Sequence, residues 1–215
     1  MRSLPLWARA RRRSFLNSGG IPLWSHFRPG MEVLEDRRML ACEILFDNGT
    51  LLIVGDDTDN TVAITATLRG IHVSCDGDDG GTYSGTRAIQ LALNGGHDVA
   101  TFDAEPSLGA GHIEDADAAG LPEIVEMHGG GGADIFGIAA SPTKVLSVDG
   151  GEDADTVQIH FGRLSGAVHV ADGGTTGRDT LQVVGTQFAE KIDIAGVDAA
   201  SWIVKWEGPD LNGEG

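Results

Sequence analysis

The sequence predicts an all-β protein with a right-handed parallel β-solenoid from about Glu123 onward, preceded by a less regular β region. Between Glu123 and Glu190 the chain can be written as three copies of one unit, EIVEMHGGGGADIF, KVLSVDGGEDADTV and AVHVADGGTTGRDTL. The copies begin at Glu123, Lys144 and Ala167, and a repeat of 21 to 24 residues is typical of stacked units. Gly provides 32 of 215 residues and aromatic side chains only 6%, which suits tight turns and a thin aliphatic core. The right hand follows from the rule for parallel crossovers.

The first 41 residues form a basic segment that differs in composition from the rest of the chain. They hold eight Arg and three acidic residues, whereas residues 42–215 carry a net charge of −22. The segment lacks the uninterrupted apolar stretch of roughly 7 to 15 residues that a standard secretory signal requires, and no transmembrane span is predicted. We expect residues 1–41 to be a targeting segment that is removed or disordered. A plain basic arm and a mitochondrial-style presequence are the alternatives.

The end of this segment reads LEDRRMLA at residues 34–41. It resembles the LEPR-XLL-type N-terminal motif found at the start of many large secreted bacterial proteins, although Asp36 stands where that motif has Pro. The resemblance implies export, to the extracellular space or the cell surface. We therefore expect the mature chain to start near Cys42.

Residues 42–122 are predicted to be a degenerate β-repeat region. Asn48-Gly49 lies between two apolar runs and predicts a β-hairpin. Gly55 is followed five residues later by Asn60, as in a decayed copy of the repeat that has Asn where Asp is expected. A further strand and a glycine-rich turn are expected in IHVSCDGDDGGTYSG, and IQLALNGGHDVATF is another copy with a shortened corner.

Cys42 and Cys75 are the only cysteines of the chain. In an oxidising compartment they could form a disulfide across a 33-residue interval. Two free, buried thiols are the equally plain alternative.

Residues 103–122 have Pro, Gly and Ala without strand alternation, so we expect a loop or short helix there. Four positions of an EF-hand calcium loop are matched by Asp115, Asp117, Gly120 and Glu126. The fifth and eighth positions are Ala119 and Pro122, and no helices are expected on either side. The pattern therefore argues against an EF-hand.

Each copy of the repeat has a corner of paired glycines followed by an Asp and, two residues later, by an apolar residue. The three corners are Gly129 with Asp134 and Phe136, Gly150 with Asp155 and Val157, and Gly173 with Asp179 and Leu181. Glycine permits sharp corners and lets carbonyl groups approach a ligand. If the copies stack at ~4.8 Å, neighbouring carboxylates repel by about 1 to 3.5 kcal/mol. A hard cation, which takes oxygen ligands, would relieve that repulsion.

This corner resembles the hemolysin-type, or repeats-in-toxin, calcium-binding repeat G-G-x-G-x-D-x-U-x, and GGGGADIFG at 129–137 fits every position. The resemblance implies Ca²⁺ as the cofactor, with side-chain ligands from the corner Asp residues and carbonyl ligands from the glycines. The expected site residues are Asp134, Asp155, Asp179, Gly129, Gly150, Gly173, Asp149 and Asp172. Ordinary Asp-Gly turns that bind nothing specific are the alternative, because tandem nine-residue spacing is absent.

The residues argue against the common enzyme sites. No G-x-S-x-G elbow, P-loop or H-E-x-x-H motif occurs. His128 precedes a glycine run as in an esterase oxyanion motif, but Asp149 and Asp172 take its place in the later copies, so it is a repeat position. A lyase-like β-helix with an Arg base is the rival enzyme reading, and its support is fold analogy, with only Arg163 and Arg178 inside the repeats.

Near the C-terminus, Gly185 and Glu190 repeat the five-residue offset with Glu in place of Asp. Lys191 begins an alternating edge-like strand, and Trp202 and Trp206 are expected to cover the end of the stack. The alternative is that the two Trp residues begin a further, incomplete unit.

These observations predict a non-catalytic extracellular calcium-binding module with a structural or adhesive role. Its expected partners are calcium ions and, as the adhesive target, a surface polysaccharide or a cell-surface protein. Nucleic acid is excluded as a partner because phosphate binding needs a basic face, and residues 42–215 are strongly acidic. The runner-up is an acidic β-helix scaffold, or a fragment of a carbohydrate-active β-helix, without specific calcium corners.

Overall fold

The computed structural model describes residues 42–105, 121–141, 144–161, 164, 166–185, 191–196 and 200–207. The predicted targeting segment 1–41 lies outside the described residues, as do the EF-hand positions Asp115, Asp117 and Gly120. The same holds for Arg163, the Arg candidate of the lyase reading, and for Glu190 of the last corner. These interpretations remain predictions.

The described residues form fifteen strands. They are β1 (Cys42–Asp47), β2 (Thr50–Gly55), β3 (Thr61–Thr67), β4 (Gly70–Cys75), β5 (Asp78–Tyr83), β6 (Ala88–Ala92), β7 (Val99–Ala104), β8 (Ile124–Gly131), β9 (Ile135–Ile138), β10 (Val145–Glu152), β11 (Thr156–His160), β12 (Val168–Ala171), β13 (Thr180–Val184), β14 (Lys191–Gly196) and β15 (Ser201–Glu207). The predicted all-β class is confirmed. Within these ranges, no helix has the length and apolar character needed to cross a membrane.

The strands form two mixed sheets. One has eight strands in the order β1-β2-β6-β8-β10-β12-β15-β14, and the other has seven in the order β13-β11-β9-β7-β3-β4-β5. Strands β2, β6, β8, β10 and β12 run parallel in the first sheet, and β3, β7, β9, β11 and β13 run parallel in the second. Along the chain, each of these parallel strands in the first sheet is followed, after a corner, by one of the parallel strands in the second sheet. We call each such strand, corner and strand a unit, which makes five units in all.

The parallel pairing already begins in the N-terminal region. Strand β6 pairs with β8 and β7 pairs with β9, so residues before and after position 122 belong to the same two sheets. The sequence places the regular stack from Glu123 onward, but the first two units lie before it.

Antiparallel strands flank the parallel units at both ends. At one end β1 pairs with β2, while β4 and β5 extend the second sheet from β3. At the other end β15 pairs with β12, with Trp202 opposite Val170, and β14 pairs with β15. The segment that contains Trp202 therefore belongs to an antiparallel strand pair that extends the first sheet.

The hairpin expected at Asn48-Gly49 is confirmed. Asp47 pairs with Thr50, and the two turn residues have φ of 49° and 84°. A two-residue turn with positive φ at both positions matches the right-handed twist of the strands, which is why Asn-Gly favours it. Strands β4 and β5 are joined in the same way at positions 76–77.

The core lies between the two sheets and follows from the alternation of side chains along each strand. On β8, Val125 and Met127 are buried while Ile124 is exposed. The parallel register stacks Leu146 on Val125 and, in the second sheet, Val157 on Phe136. A slip of one residue would turn each apolar row outward, so burial of these rows fixes the register.

Cys42 and Cys75 form a disulfide with their Cα atoms 6.2 Å apart. It joins β1 of the eight-stranded sheet to β4 of the seven-stranded sheet, so the cross-link spans the core at the N-terminal end. Of the two alternatives that the sequence left open, the structure shows the paired one.

Candidate functional site

One polar residue stands directly before the second strand of every unit. These residues are Asn60, Asp98, Asp134, Asp155 and Asp179, and we call them the Asp column. The residues that follow them pair in sequence: Thr61 with Val99, Val99 with Ile135, Ile135 with Thr156, and Thr156 with Thr180. The register of the seven-stranded sheet therefore stacks the five side chains above one another.

Hydrogen bonds join each member of the column to the next. The main-chain N–H groups of Asn60, Asp98, Asp134 and Asp155 donate to Oδ1 of the following Asp, over 2.6, 2.8, 2.8 and 3.0 Å. The carbonyl oxygens of the same residues accept hydrogen bonds from the N–H of the residue that begins the second strand of the next unit, each over 2.8 Å. At the corner the acceptor of the main-chain N–H is a carboxyl oxygen instead of a main-chain carbonyl. The carboxyl group therefore satisfies the hydrogen-bonding need of the main chain there.

In three column residues the other carboxyl oxygen has no hydrogen-bond partner in the part of the chain that the structure describes. Asp98, Asp134 and Asp155 are 0%, 1% and 2% exposed, and their Oδ2 atoms are buried without a hydrogen-bond partner among the described residues. A buried, unpartnered carboxylate oxygen is costly, so it calls for a proton or a cation.

The pKa values of these carboxyl groups are raised. Burial raises the pKa of Asp134 from its ordinary value near 3.8 to about 7, the N–H of Asp98 opposes the increase, and the charges of Asp98 and Asp155 add to it. Burial likewise raises the pKa of Asp155 to about 6, with further contributions from nearby acids that include Asp179. The pKa values of Asp98 and Asp179 are also raised, mainly by burial.

At the corners of Asp134 and Asp155, the preceding glycine makes room for the column side chain. A β-carbon on Gly129 would overlap Oδ2 of Asp134, and one on Gly150 would overlap Oδ2 of Asp155. These two glycines have ordinary φ, so it is space and not backbone strain that requires them. The five-residue offset read from the sequence is therefore a direct contact between the glycine and the carboxyl group.

Not all of the expected ligands join the column. Asp149 lies on the outer face, where its Oδ1 accepts from the N–H of Gly173 over 2.9 Å and its Oδ2 lies 3.7 Å from Nδ1 of His128. Asp172 lies close enough to Asp179 to raise its pKa. Asp149 pairs with His128, as expected, but with Ala171 instead of Asp172, because the buried Val168 and Val170 stack on Leu146 and Val148. Gly173 therefore contacts Asp149 and does not line a column carboxyl group.

Asp98 is a column residue that sequence reasoning missed. Its glycine corner is shortened, and the register places Leu93 where the next unit has Gly129. The available signal was Asp98 two residues before the buried Ala100, which is the spacing of Asp134 before Phe136. Because Asp98 and Asn60 precede it, Asp134 is an internal member of the column, whereas the sequence suggested that it is the first corner.

The column has the donor chemistry for a hard cation but a sparse arrangement. The buried Oδ2 atoms are anionic oxygens, which calcium takes as ligands. Within the described ranges, no group of three or more His, Cys, Asp or Glu side chains is arranged to hold a metal ion. A calcium ion here would hence need main-chain carbonyl groups of the glycine corners to complete its shell of about six to eight oxygens.

The C-terminal end of the column opens into a cleft of about 200 Å³ between the two sheets. Asp155 and Asp179 line it together with apolar side chains, among them Trp202 and the exposed Ile194. This cleft brings solvent closest to the column carboxyl groups, since Asp179 is only half-buried.

Comparison with known proteins returned no match to a protein-family model, to a curated protein or to a solved structure.

Proposed function

We propose that this chain is a non-catalytic, extracellular calcium-binding module with a structural or adhesive role, built as a right-handed parallel β-solenoid. The five units, each with one parallel strand in either sheet and a corner between them, support the solenoid interpretation. Calcium would be held along the Asp column.

The observation that carries the proposal is the row of three buried Oδ2 atoms, at Asp98, Asp134 and Asp155, that have no hydrogen-bond partner within the described ranges. One negative oxygen in each of three consecutive units repels its neighbours, and a divalent cation is the group that offsets both the repulsion and the missing hydrogen bonds. The expected ligands are these Oδ2 atoms with Asp179 and carbonyl groups of Gly129 and Gly150.

Export is supported by the disulfide between Cys42 and Cys75. Disulfides form and persist in oxidising compartments such as the periplasm and the extracellular space. This agrees with the LEDRRMLA motif and with a mature chain that begins near Cys42.

A second candidate is a scaffold whose column is purely structural and protonated. The Oδ1 atoms already accept main-chain hydrogen bonds, and the pKa of Asp134 is raised to about 7. A neutral carboxyl group could occupy the same position without a metal, because protonation of Oδ2 removes its negative charge.

Calorimetric calcium titration of the protein at pH 8 separates the two candidates. At this pH the carboxyl groups of Asp134 and Asp155, whose pKa values are about 7 and about 6, are mostly ionised. Binding to the folded state alone raises stability by about 2.7 kcal/mol at a hundredfold excess over Kd. We expect calcium to release or absorb heat and to raise the melting temperature. Magnesium should substitute poorly, since it requires near-ideal octahedral geometry and dehydrates reluctantly.

The matched variants are Asp155→Asn in the column and Asp47→Asn, an exposed Asp beside the first hairpin. Asp155→Asn keeps an acceptor for the N–H of Asp134 but removes the anionic oxygen, so the calcium response should weaken only in this variant. If calcium titration of the unaltered protein produces no binding heat and calcium does not change its melting temperature, the structural candidate replaces the calcium-binding one.

A further inference from the structure

A polar groove lies on the outer face of the seven-stranded sheet, at the end opposite the cleft. It has a volume of about 470 Å³ and is lined by Thr65, Thr67, Leu68, Arg69, His72, Thr82 and Glu105. None of these residues belongs to the Asp column or contacts it in the described hydrogen bonds.

The floor of the groove is a row of three side chains on neighbouring strands. Thr65 of β3 pairs with His72 of β4, which pairs with Thr82 of β5. The residues beside them in sequence, such as Ile64, Ala66, Ile71 and Val73, are buried, so the row faces outward. Nδ1 of His72 lies 3.4 Å from Oγ1 of Thr82, which holds the imidazole in the row.

The rim adds a charged group of each sign and one apolar side chain. Leu68 and Arg69 form the two-residue turn between β3 and β4, where Thr67 pairs with Gly70. Oγ1 of Thr67 donates to the carbonyl of Gly70 and accepts from the N–H of Arg69, so the turn is held from within. Leu68 is 70% exposed, and Glu105, which directly follows β7, also lines the groove.

The chemistry of these groups selects a ligand that both donates and accepts hydrogen bonds. Guanidinium groups donate, carboxylates accept, and hydroxyl and imidazole groups do either. A volume of this size is in the range of small-molecule sites, but the lining is polar, with Leu68 as its exposed apolar element. A saccharide fits this lining, because its hydroxyl groups donate and accept and its C–H face can rest on the leucine.

Charge distinguishes a neutral saccharide from an acidic one. Among the described residues that line the groove, the only fixed cation is Arg69, and Oδ1 of Asp79 lies 3.8 Å from Nδ1 of His72. A carboxylate beside the imidazole of His72 repels an anionic ligand. We infer that the Thr65–His72–Thr82 groove binds a neutral saccharide unit of a surface polysaccharide.

Binding can be measured by calorimetry on the full chain with cellobiose, maltose, lactose and mannobiose as probes, at millimolar concentrations. At least one of these neutral disaccharides should bind. Arg69→Ala and Thr82→Val should weaken that binding by about tenfold or more, because each removes a hydrogen-bonding group from the groove. Arg87→Ala is the matched control, since Arg87 is exposed and lies outside the groove, and it should bind as the unaltered chain does.

The variants alter exposed side chains and Thr82→Val is nearly isosteric, so their melting curves should match that of the unaltered chain. The inference is overturned if none of the four disaccharides binds, if Arg69→Ala and Thr82→Val bind as well as the unaltered chain, or if sulfate or galacturonate binds in their place. Loss of calcium binding would not affect this result, so failure of the proposed function and failure of this inference are separate outcomes.

Discussion

The main-chain N–H of Asp134 donates a 2.8 Å hydrogen bond to Oδ1 of Asp155, a residue 21 positions further along the chain. The same bond recurs between Asp98 and Asp134 and between Asp155 and Asp179. At each of these corners, the carboxyl group of the next unit consequently accepts a hydrogen bond from the main-chain N–H. The carboxyl groups serve the fold itself, whatever they bind.

This bond predicts that alanine and asparagine will act differently at position 155. Asp155→Ala leaves the buried N–H of Asp134 without an acceptor, which costs about 1 to 3 kcal/mol. Asp155→Asn keeps the acceptor and removes a buried charge. In calcium-free buffer near pH 8 we expect Asp155→Asn to be at least as stable as the unaltered protein and Asp155→Ala to be less stable. Urea unfolding measures both, and equal loss in the two variants would contradict the role of the hydrogen bond.

The contact between glycine and carboxyl group predicts a steric effect at position 150. A β-carbon there would overlap the Asp155 side chain, so Gly150→Ala should lower the free energy of unfolding by about 2 kcal/mol or more. Gly131→Ala is the control within the preceding corner, since its β-carbon would meet its nearest atom at 3.9 Å and its φ is ordinary. Thermal melts should show a large decrease for Gly150→Ala and a small change for Gly131→Ala. Similar melting temperatures for both would refute the contact.

The raised pKa values predict that the calcium-free protein becomes less stable as the pH rises. The folded Asp134 carboxyl group has a pKa of about 7 against an ordinary value near 3.8, so the folded state binds more protons than the unfolded state between these pH values. Stability should therefore be greater at pH 4 to 5 and fall as the pH rises to about 7, by a few kcal/mol in order of magnitude.

General charge repulsion in an acidic chain acts in the same direction, so the slope must be compared with that of a variant. Asp134→Asn removes the titrating group, and its melting temperature should depend less steeply on pH in this window. With saturating calcium the slope should flatten or invert, because protons then compete with the ion. Identical slopes for the variant and the unaltered protein would show that Asp134 does not titrate in this range.

The disulfide predicts a substantial loss of stability on reduction. Cys42 and Cys75 close a loop of 33 residues, and a cross-link of that length stabilises by about 3 to 4 kcal/mol in the chain-entropy model. The double variant Cys42→Ser/Cys75→Ser should unfold at lower urea concentration than the oxidised protein and match the reduced one. Non-reducing peptide mapping should recover one joined fragment that contains both cysteines.

The sequence by itself determined the all-β class, the Asn48-Gly49 hairpin and the parallel units after Glu123, because each depends on local chemistry. Positive φ at a two-residue turn selects Asn-Gly, alternation selects strands, and room for a carboxyl group selects glycine five residues before Asp134 and Asp155. Those patterns lie within a few consecutive residues and can be read without the fold.

Only the tertiary structure decided which residues come together across units. The pairing of Val99 with Thr61 and Ile135 places Asp98 in the column, although its corner lacks the glycine spacing. Asp149 lies outside the column because its strand register points it outward, and the disulfide needed two sheets to meet at Cys42 and Cys75. Register between strands that lie 21 to 38 residues apart is fixed by the burial of whole apolar rows. No short stretch of sequence contains that information, which is a property of the packed core.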